Sequence, residues 1–420
     1  MKPEDNERLT RVGPGTPMGA LMRRYWQPLL LSWELGPPDS APVRARILGE
    51  DLIVFRASNG EVGVVDAFCP HRRAPMFYGR NEENGLRCVY HGWKFGTNGD
   101  CVDLPNAPEG DKVRHTIRIM SYPAADIGGA IWVYMGPPDK QPPLPDYEWM
   151  RTPASHKHIS KTWQENNYLQ ALEGGLDTSH SSFLHNETIG VRTVRNVDRA
   201  PRLDVETTDY GYCYTSYRKI SPDEQYVRIY QYVLPAQQSR GHVTDDFGRR
   251  KELACVSGHV WVPIDDDTTF TWNFLYAVDD KVPFTPEYAE ADEARRGGGV
   301  DDIIPGTFRL KRNLSNDHMI DRELQKKTFT GIVGINTQDI ALQEGMGPIV
   351  DRSMEHLVSS DRAIVTMRRL LLEAVATVER GEDPPGLDPA MTRRLRGYDG
   401  TVPAERDWRT ALGDQVNAYW

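Results

Sequence analysis

The sequence predicts an α+β protein of two domains, an all-β domain near the N-terminus and a larger domain that mixes strands with helices. Its 420 residues give room for two or three domains at roughly 150 residues each. Short β-rich runs begin at about residue 43 and are separated by turn signals such as Asn59-Gly60. The proline-dense segment GPPDKQPPLPD at 136–146 marks a boundary. Beyond it, alternating segments at about 208–275 precede helical patterns from about 284.

The N-terminal segment, residues 1–40, is the first element of this scheme. Residues 14–25, PGTPMGALMRRY, predict a short helix entered through Pro17, and the apolar run WQPLLL follows. We expect residues 1–40 to pack with the C-terminal domain. Residues 41–145 are then the all-β domain and residues 146–420 the α+β domain.

Composition and charge exclude several classes of protein. Hydrophobic residues make up 39% and charged residues 26%, which is typical of a globular chain rather than a disordered one. Fifty Lys and Arg against 60 Asp and Glu give a formal charge of −10 without a dense basic run, so nucleic acid is not an expected partner. The charged start MKPEDNERLTRVG lacks an apolar signal sequence, and stretches such as GGAIWVYMG are shorter than the ~18–20 residues that span a bilayer. We therefore expect a cytoplasmic protein without a membrane partner.

Two short loops of the all-β domain carry metal-ligating side chains. Cys69-Pro-His71 and Cys88-Val-Tyr-His91 each offer one thiolate and one imidazole, and four such groups can close a metal site. Structural zinc also uses two Cys and two His, but zinc loops usually pair Cys with Cys and His with His. A Rieske [2Fe–2S] cluster needs two thiolates on one iron and two imidazoles on the other. The mixed loops favour this cluster, and zinc is the alternative.

A second set of possible ligands lies in NNYLQALEGGLDTSHSSFLH at 166–185. Glu173, Asp177 and His180 are spaced i, i+4 and i+7, which places them on one face of a helix. His185 can share a metal with His180 only if the helix ends or bulges between them. Two His and one carboxylate form the facial triad that binds Fe(II) and leaves positions open for O2. The candidates for the carboxylate are Asp339, Glu344, Asp351, Glu355 and Asp361.

Several segments together resemble one known family. CPHRRAP at 69–75, CVYHGWKF at 88–95 and the D-x2-H-x4-H pattern at 177–185 are similar to motifs of the catalytic (alpha) subunit of Rieske non-haem iron aromatic ring-hydroxylating oxygenases. NDHMIDRELQKKTFTGI at 316–332 and NTQDIALQEGMGPIVDRSMEHLVSSDRAIVTMRRLL at 336–371 resemble the phthalate dioxygenase-like branch. The resemblance covers nearly the whole chain. It implies a Rieske [2Fe–2S] domain at 41–145 and a helix-grip catalytic domain with a mononuclear iron at 146–420.

The resemblance also implies which residues bind each metal. The cluster ligands would be Cys69 and Cys88 on the buried iron, and His71 and His91 on the outer iron. The ligands of the mononuclear iron would be His180, His185 and Asp339, the Asp of the family pattern Q/E-D-x4-E. The remaining charged residues of this segment would then form structural ion pairs: Glu344, Asp351 and Arg352.

Asp177 has a separate role in the resemblance. It would hydrogen-bond His180 in its own subunit and His91 of the next subunit, and so bridge the two metal centres. A carboxylate in this position also fixes the tautomer of the ligating imidazole. Function would then require a ring-shaped homo-oligomer, and a homotrimer is expected.

The implied activity is hydroxylation of an aromatic carboxylic acid of the phthalate or benzoate type with O2 as co-substrate, either by cis-dihydroxylation, which is the main expectation, or by monohydroxylation. O-demethylation of a methoxylated aromatic acid is the alternative within this class, because the same iron site serves both reactions. An electron-transfer Rieske protein without oxygenase activity is a further alternative, but it leaves residues 150–420 unexplained. No G-x-G-x-x-G precedes a helix and no additional cysteine cluster occurs. A separate reductase is therefore needed, and the resemblance implies one with NADH, flavin and a [2Fe–2S] centre.

Two arginines are the predicted substrate anchors, since a guanidinium can bind a carboxylate through two hydrogen bonds. Arg218 shares one strand face with Tyr212 and Tyr214, and Arg228 shares a face with Tyr230 on the next strand. A surface salt bridge or cation–π packing is the alternative for both side chains.

Overall fold

The elements of the chain fall into two compact units, Val12–Pro142 on one side and Met1–Arg11 with Pro143–Trp420 on the other. The computed structural model describes residues 1–108, 112–185, 193–245 and 247–420. Within these ranges, no helix has both the length and the apolar character of a membrane-spanning segment.

The described helices and strands have the following bounds. The helices are α1 (Pro3–Thr10), α2 (Pro17–Met22), α3 (Glu148–Arg151), α4 (Tyr168–Leu176), α5 (Val194–Val197), α6 (Pro286–Arg296), α7 (Arg322–Gln325), α8 (Ile335–Gly345), α9 (Arg362–Glu379), α10 (Pro389–Thr392) and α11 (Trp408–Leu412). The strands are β1 (Gln27–Leu31), β2 (Val43–Ile47), β3 (Glu50–Arg56), β4 (Val62–Asp66), β5 (Arg80–Glu82), β6 (Gly85–Arg87), β7 (Lys94–Phe95), β8 (Cys101–Asp103), β9 (Ser121–Tyr122), β10 (Ala124–Ile127), β11 (Ala130–Val133), β12 (Lys157–Gln164), β13 (Arg202–Thr208), β14 (Gly211–Lys219), β15 (Glu224–Val233), β16 (Gln237–Thr244), β17 (Arg250–Pro263), β18 (Thr269–Ala277) and β19 (Tyr398–Pro403).

Antiparallel strands build the smaller unit, Val12–Pro142. They form three sheets, with orders β1-β11-β10, β2-β3-β4-β9 and β5-β6-β7-β8. The apolar positions of β3 and β4 face a core in which Ile53, Phe55 and Val65 pack around Cys69 and Cys88. The predicted all-β character of this region is confirmed, and its core holds both predicted cluster thiols.

The boundary of the smaller unit differs from the predicted one. Residues 12–40, expected to pack with the C-terminal domain, belong to the smaller unit, whereas residues 1–11 belong to the larger one. The reason is strand pairing, because the apolar run WQPLLL forms β1 and pairs with β11, Gln27 opposite Val133. Arg23 adds a hydrogen bond to the Leu48 carbonyl (2.9 Å) and an ion pair with Glu50 (2.7 Å).

The larger unit is built on an eight-stranded antiparallel sheet. Its order is β12-β18-β17-β16-β15-β14-β13, and β19 also pairs with β15. Alternate tyrosines of β14 point toward the helices, where Tyr212 donates to the Ala363 carbonyl of α9 (2.9 Å) and Tyr214 to the Leu176 carbonyl of α4 (2.8 Å). Strands and helices thus share one core, and the predicted α+β class is confirmed.

Candidate active site

Two loops of the smaller unit present the predicted Cys-His pairs with the same backbone geometry. Cys69 and Cys88 each donate their N–H to the carbonyl five residues further on, at 2.8 Å in both loops. Each Cys carbonyl accepts from the residue four positions on, Arg73 at 2.9 Å and Gly92 at 3.0 Å. These two residues have positive φ, 59° and 80°, so both chains reverse in the same way. The loops are structural equivalents, as the cluster requires.

The side chains of these loops fit a [2Fe–2S] cluster with mixed ligands. Cys69 and Cys88 are 1% and 3% exposed, whereas His71 and His91 are half-buried with ring centroids 4.5 Å apart. Burial raises the pKa of the Cys69 thiol to about 11, so bound iron would be needed to keep this sulfur ionised. Trp93 stacks on His71 at 4.3 Å. Two inner thiols and two outer imidazoles are the donor set of a Rieske cluster.

The segment that follows α4 brings the second set of predicted ligands together. α4 ends at Leu176, where the Asp177 side chain accepts hydrogen bonds from the N–H and hydroxyl of Ser179 (2.7 and 2.8 Å) and begins a turn. His180 opens a short 3₁₀ turn, and His185 follows it. The helix therefore ends before His180, not between His180 and His185 as expected, and this turn lets both imidazoles face one point.

Three ligand atoms form a small triangle at that point. The Nε2 atoms of His180 and His185 are 3.1 Å apart, and Oδ1 of Asp339 lies 3.4 Å from the first and 3.2 Å from the second. An octahedral ion with bonds of about 2.1 Å places neighbouring donors about 3.0 Å apart. Burial opposes ionisation of Asp339, but His185 and His180 outweigh it and lower the pKa of the carboxyl. The triangle therefore has the size and charge of one face of an iron coordination sphere.

Each imidazole of the triad is oriented through its other nitrogen. Nδ1 of His180 lies 3.4 Å from Oδ2 of Asp177, and Nδ1 of His185 lies 2.7 Å from Oε1 of Gln338. Because the Nε2 atoms face the metal position, both Nδ1 atoms carry the hydrogen and donate it to oxygen. Burial opposes ionisation of Asp177, but the bonds from His180 and Ser179 lower its pKa to about 2.

Gln338 is a functional residue that the sequence reasoning missed. It precedes Asp339 on α8 and is 2% exposed. Its amide nitrogen donates to the Ile332 carbonyl (2.8 Å) and to the Thr330 hydroxyl (3.2 Å), so its oxygen is directed at His185. The sequence does place Gln338 next to the predicted ligand Asp339. An uncharged amide is not a usual iron ligand, so reasoning from ligand types selects only the Asp.

The other carboxylates near these motifs lie elsewhere. Glu173 is bound by Arg352 at 2.9 Å and by Arg368 at 2.7 Å. Glu344 is 4% exposed and faces His318 at 3.4 Å. Within the described part of the chain, Asp339 is the carboxylate that joins the two histidines.

A cavity of about 630 Å³ extends from the triad along the sheet. His180, His185 and Asp339 line it together with alternate residues of β17. Its wall combines apolar and cationic side chains: Leu253, Trp261, Leu275, Ile335, Ile340, Arg228, Arg240, Lys251, Arg295 and Arg296. The cavity can therefore hold an apolar ligand with an anionic group beside the metal position.

The two predicted substrate arginines have different positions. Arg218 is 1% exposed, does not line the cavity, and donates to the Thr178 carbonyl (2.9 Å) and the Ser216 hydroxyl (3.3 Å). Arg228 lines the cavity, but its Nε and Nη2 donate to the Gly241 carbonyl (3.2 and 3.0 Å). Arg218 therefore holds the turn that carries the ligands, which is a different task from the predicted one.

Arg240 on β16 is a cavity arginine that the sequence reasoning missed. It is half-buried, donates to Oε1 of Gln238 (3.1 Å) and lies 2.9 Å from Nε2 of His259. No carboxylate in the described part of the chain forms an ion pair with it. Burial and repulsion from Arg228 and Arg296 lower its pKa to about 9, so it is charged at neutral pH. Arg218 and Arg228 were predicted because each shares a strand face with tyrosines. Arg240 has no such alternating tyrosines, so the same criterion does not select it.

Comparison with known proteins agrees with this geometry. Residues 25–123 match the Rieske [2Fe-2S] domain, and residues 133–418 match the family described as LigXa C-terminal domain like. The chain is 37% identical to the phthalate 4,5-dioxygenase oxygenase subunit of Pseudomonas putida, over 97% of this chain and 94% of that protein. It is 38% identical to the 3-chlorobenzoate-3,4-dioxygenase oxygenase subunit of Comamonas testosteroni, over 98% of both chains. It is 32% identical to the 5,5'-dehydrodivanillate O-demethylase oxygenase subunit of a Sphingobium species, over 93% and 85%.

A solved structure supports the same fold. The crystal structure of dicamba monooxygenase bound to dicamba superposes with a TM-score of 0.61 at 18% identity, over 86% of this chain and 99% of that one. At this level of identity the likeness concerns the fold alone.

Replacing Gln338 tests the orientation of the triad. We expect Gln338→Leu to weaken binding of the mononuclear iron roughly 10- to 100-fold, because His185 loses the acceptor of its Nδ1–H. Calorimetric iron titration measures this, and the visible absorbance of the cluster checks that the other metal site is intact. Gln225→Leu is the matched control, because the Gln225 amide donates to the Ala404 carbonyl (3.1 Å) and does not line the cavity. Equal iron affinities of the two variants would contradict the assigned role.

Proposed function

Because this chain belongs to the Rieske non-haem iron oxygenases as an oxygenase component, we propose that it oxidises an aromatic carboxylic acid with O2, by cis-dihydroxylation of the ring. The single observation that carries the proposal is the cavity that contains both the histidine-carboxylate triad and the cationic Arg240. A Rieske protein that only transferred electrons would use neither the triad nor the cavity.

The residues of the two sites fit the cofactors of this family. We assign the [2Fe–2S] cluster to Cys69, Cys88, His71 and His91, and the mononuclear iron to His180, His185 and Asp339. When bound, the cluster carries electrons and the iron activates O2, which is the chemistry that these groups supply. The protein itself holds the ligands, orients the substrate and keeps bulk water away from the reacting ring.

The charge of the cavity wall supports an anionic substrate. Arg240 is charged at neutral pH because its pKa of about 9 lies above 7, and its two hydrogen-bond acceptors, Gln238 and His259, are neutral groups that do not compensate this charge. A half-buried guanidinium of this kind can bind a carboxylate through two charge-assisted hydrogen bonds. Arg228 adds positive potential in the same wall. We therefore propose Arg240, rather than Arg218, as the carboxylate anchor.

The apolar part of the wall supports an aromatic ring. Trp261 packs so closely on Gly175 that a Cβ there would meet its ring at 2.2 Å, and Leu275, Ile335 and Ile340 line the same cavity. Small-molecule pockets of about 300–1,000 Å³ usually combine such a lining with few polar groups. A cavity of about 630 Å³ therefore suits a substituted single-ring acid, with the carboxylate at Arg240 and the ring toward the triad.

O-demethylation of a methoxylated aromatic acid is the second candidate. It is favoured by the relative that is named as an O-demethylase subunit. The same triad and the same anchor would serve both reactions. The difference would lie in which bond, a ring C=C or a methyl C–H, is held next to the iron.

The electron source is part of the proposal. We propose a separate NADH-dependent reductase with flavin and a [2Fe–2S] centre, in keeping with relatives that are named as oxygenase subunits. Because NADH is a cytoplasmic reductant, we place the reaction in the cytoplasm.

Asp177 is the basis for proposing a ring-shaped homotrimer. Its side chain is 23% exposed, Oδ2 faces His180, and Oδ1 accepts from Ser179. A carboxylate offers about four lone-pair positions, so Asp177 can accept one more donor. We propose that this donor is His91 of a neighbouring copy, which would place the cluster of one subunit beside the iron of the next.

A single-turnover assay tests the proposed reaction without the reductase. Chemically reduced protein is mixed with ¹⁸O2 and with phthalate isomers, benzoate, 3-chlorobenzoate or methoxybenzoates, and the products are read by mass spectrometry. We expect one acid to gain two labelled oxygens as a cis-diol. Formaldehyde with a demethylated acid would establish the second candidate instead. If every acid returned unchanged from protein with full iron occupancy, the assignment to aromatic acids would be wrong.

Replacing the anchor tests the substrate class. We expect Arg240→Met to raise KM for the aromatic acid roughly 10- to 100-fold, because a hydrogen-bonded charge pair is lost. KM for a neutral analogue such as 3-chlorobenzamide should change little. Arg295→Met, a second cavity arginine that is paired with Asp292, is the control. Equal effects of the two substitutions would refute the anchor.

Replacing Asp177 tests the proposed link between the metal centres. We expect Asp177→Asn to lower substrate-dependent O2 consumption roughly 10- to 100-fold, with both metals retained, because the charge shared by the two imidazoles is removed. Asp351→Asn is a matched control, since Asp351 makes the same turn with Ser353 (2.9 Å) away from the metals. Wild-type rates in Asp177→Asn would speak against the link.

A further inference from the structure

A line of side-chain hydrogen bonds runs along the cavity wall and ends at Arg240. From α6 it joins Glu293 Oε1 to Ser160 Oγ (2.7 Å) and Ser160 Oγ to Asn273 Nδ2 (3.2 Å). It continues from Asn273 Oδ1 to His259 Nδ1 (2.9 Å) and from His259 Nε2 to Arg240 Nη2 (2.9 Å). The four strands that contribute, β12, β18, β17 and β16, are consecutive neighbours in the sheet. One line therefore connects a helix of the cavity wall with the proposed anchor.

The direction of each bond follows from the guanidinium, which has donors only. Since Arg240 donates, Nε2 of His259 accepts, and the ring hydrogen sits on Nδ1. This N–H donates to Oδ1 of Asn273, so the amide nitrogen of Asn273 faces Ser160 and donates in turn. The Ser160 hydroxyl then donates to the carboxylate of Glu293. The tautomer of His259 is therefore determined by its neighbours on both sides.

His259 is neutral in this arrangement. It is 8% exposed, and the charged groups that face it are Arg240 from β16, Arg296 from α6 and Asp339 from α8. Burial and the two guanidinium groups lower its pKa well below the usual 6.5. Its Nε2 therefore stays an acceptor at neutral pH.

We propose that His259 is a positioning residue that holds the guanidinium of Arg240 toward an aromatic carboxylate without neutralising its charge. The inference rests on the proposed function, which makes Arg240 the anchor. The carboxylate of the line, Glu293, is separated from Arg240 by three neutral side chains. A carboxylate at position 259 would instead form a partly buried ion pair with Arg240 and compete with the substrate. The choice of a neutral acceptor thus reserves the positive charge for the ligand.

Gln238 holds the other side of the guanidinium in the same way. Its oxygen accepts from Arg240 Nη1 (3.1 Å), while its amide nitrogen donates to the Gly175 carbonyl (2.7 Å) and to the Tyr214 hydroxyl (3.0 Å). Gly175 lies in the last turn of α4, two residues before Asp177, where the turn that carries the iron ligands begins. The anchor is therefore fixed relative to the iron position, which decides which ring atoms of a bound acid can react.

Binding measurements on the iron-loaded, full-length protein test the role of His259. Affinities for phthalate and 3-chlorobenzoate, and for the neutral 3-chlorobenzamide, are measured by calorimetry in His259→Leu, His259→Gln and Arg240→Met. We expect His259→Leu to weaken binding of the acid roughly 10- to 100-fold and to leave the amide unaffected. His259→Gln should restore much of the affinity, because a Gln oxygen can accept from Arg240. In the Arg240→Met background, His259→Leu should add no further loss.

A matched control and a ligand-free measurement complete the test. His156→Leu changes a half-buried histidine that bonds Ser155 (2.9 Å) and does not line the cavity, so it should leave the affinity unchanged. Crystal structures of the iron-loaded wild type and of iron-loaded His259→Leu, both without an aromatic acid, should show the Arg240 guanidinium displaced from Gln238 only in the variant. An unmoved guanidinium together with wild-type affinity would overturn the positioning role.

Failure of the anchor and failure of the positioning role give different results. If Arg240→Met binds both acids as tightly as the wild type, the anchor is wrong and the proposed function loses its main support. If Arg240→Met loses affinity but His259→Leu does not, only the role of His259 is overturned.

A pH profile separates positioning from a general structural effect. In the wild type, acid affinity should be flat between about pH 6 and pH 8, because His259 stays neutral. In Asn273→Asp, a carboxylate beside Nδ1 raises the pKa of His259, and affinity should fall as the pH is lowered. The protonated ring then has no acceptor and repels Arg240. A loss that is independent of pH in Asn273→Asp would contradict the proposal.

Discussion

The active site depends on how the sheet binds the C-terminal end of helix α4. The last carbonyls of a helix have no partner within it and need donors from outside. Two sheet side chains supply these donors, Gln238 to the Gly175 carbonyl (2.7 Å) and Tyr214 to the Leu176 carbonyl (2.8 Å). Arg218 donates to the Thr178 carbonyl (2.9 Å) in the turn that follows. With the helix ended at Leu176, the chain turns through Asp177 and brings His180 and His185 to one metal position. The iron site is thus a consequence of helix termination.

The same end of α4 must lie very close to its neighbours, which explains the two glycines in EGGLD. A Cβ at Gly175 would meet the Trp261 ring at 2.2 Å, and a Cβ at Gly174 would meet the Gln343 amide at 2.2 Å. Trp261 lines the cavity, and Gln343 belongs to α8, the helix that carries Asp339. Close approach at the two glycines therefore sets the spacing between the histidine turn, the cavity wall and the carboxylate ligand.

Sequence spacing predicts which side chains come together at the candidate metal positions better than it predicts the cavity wall, for a physical reason. Loop spacing alone pairs Cys69 with His71 and Cys88 with His91, because a short loop leaves few conformations. Alternation also predicted the strands β14 and β15, yet it could not show that Arg218 donates to the Thr178 carbonyl of the turn after α4. Arg240 and His259 meet through the pairing register of β16 and β17, in which Ser257 lies opposite Arg240. Spacing along one strand does not encode the register between two strands, so contacts of this kind emerge only from the structure.

Charge balance in the cavity favours the proposed acid over a neutral ring of the same shape. Arg240 lies between two neutral acceptors; burial and repulsion from Arg228 and Arg296 lower its pKa to about 9, although Asp339 opposes this shift. A partly buried cation without a counter-ion carries an electrostatic cost, and a ligand carboxylate removes that cost by forming an ion pair. Relief of this unfavourable electrostatic energy would therefore contribute to the binding free energy of an acid. A neutral analogue of the same shape fills the same volume but leaves the cost in place, so the proposed selectivity for acids would follow from the neutral groups that hold Arg240.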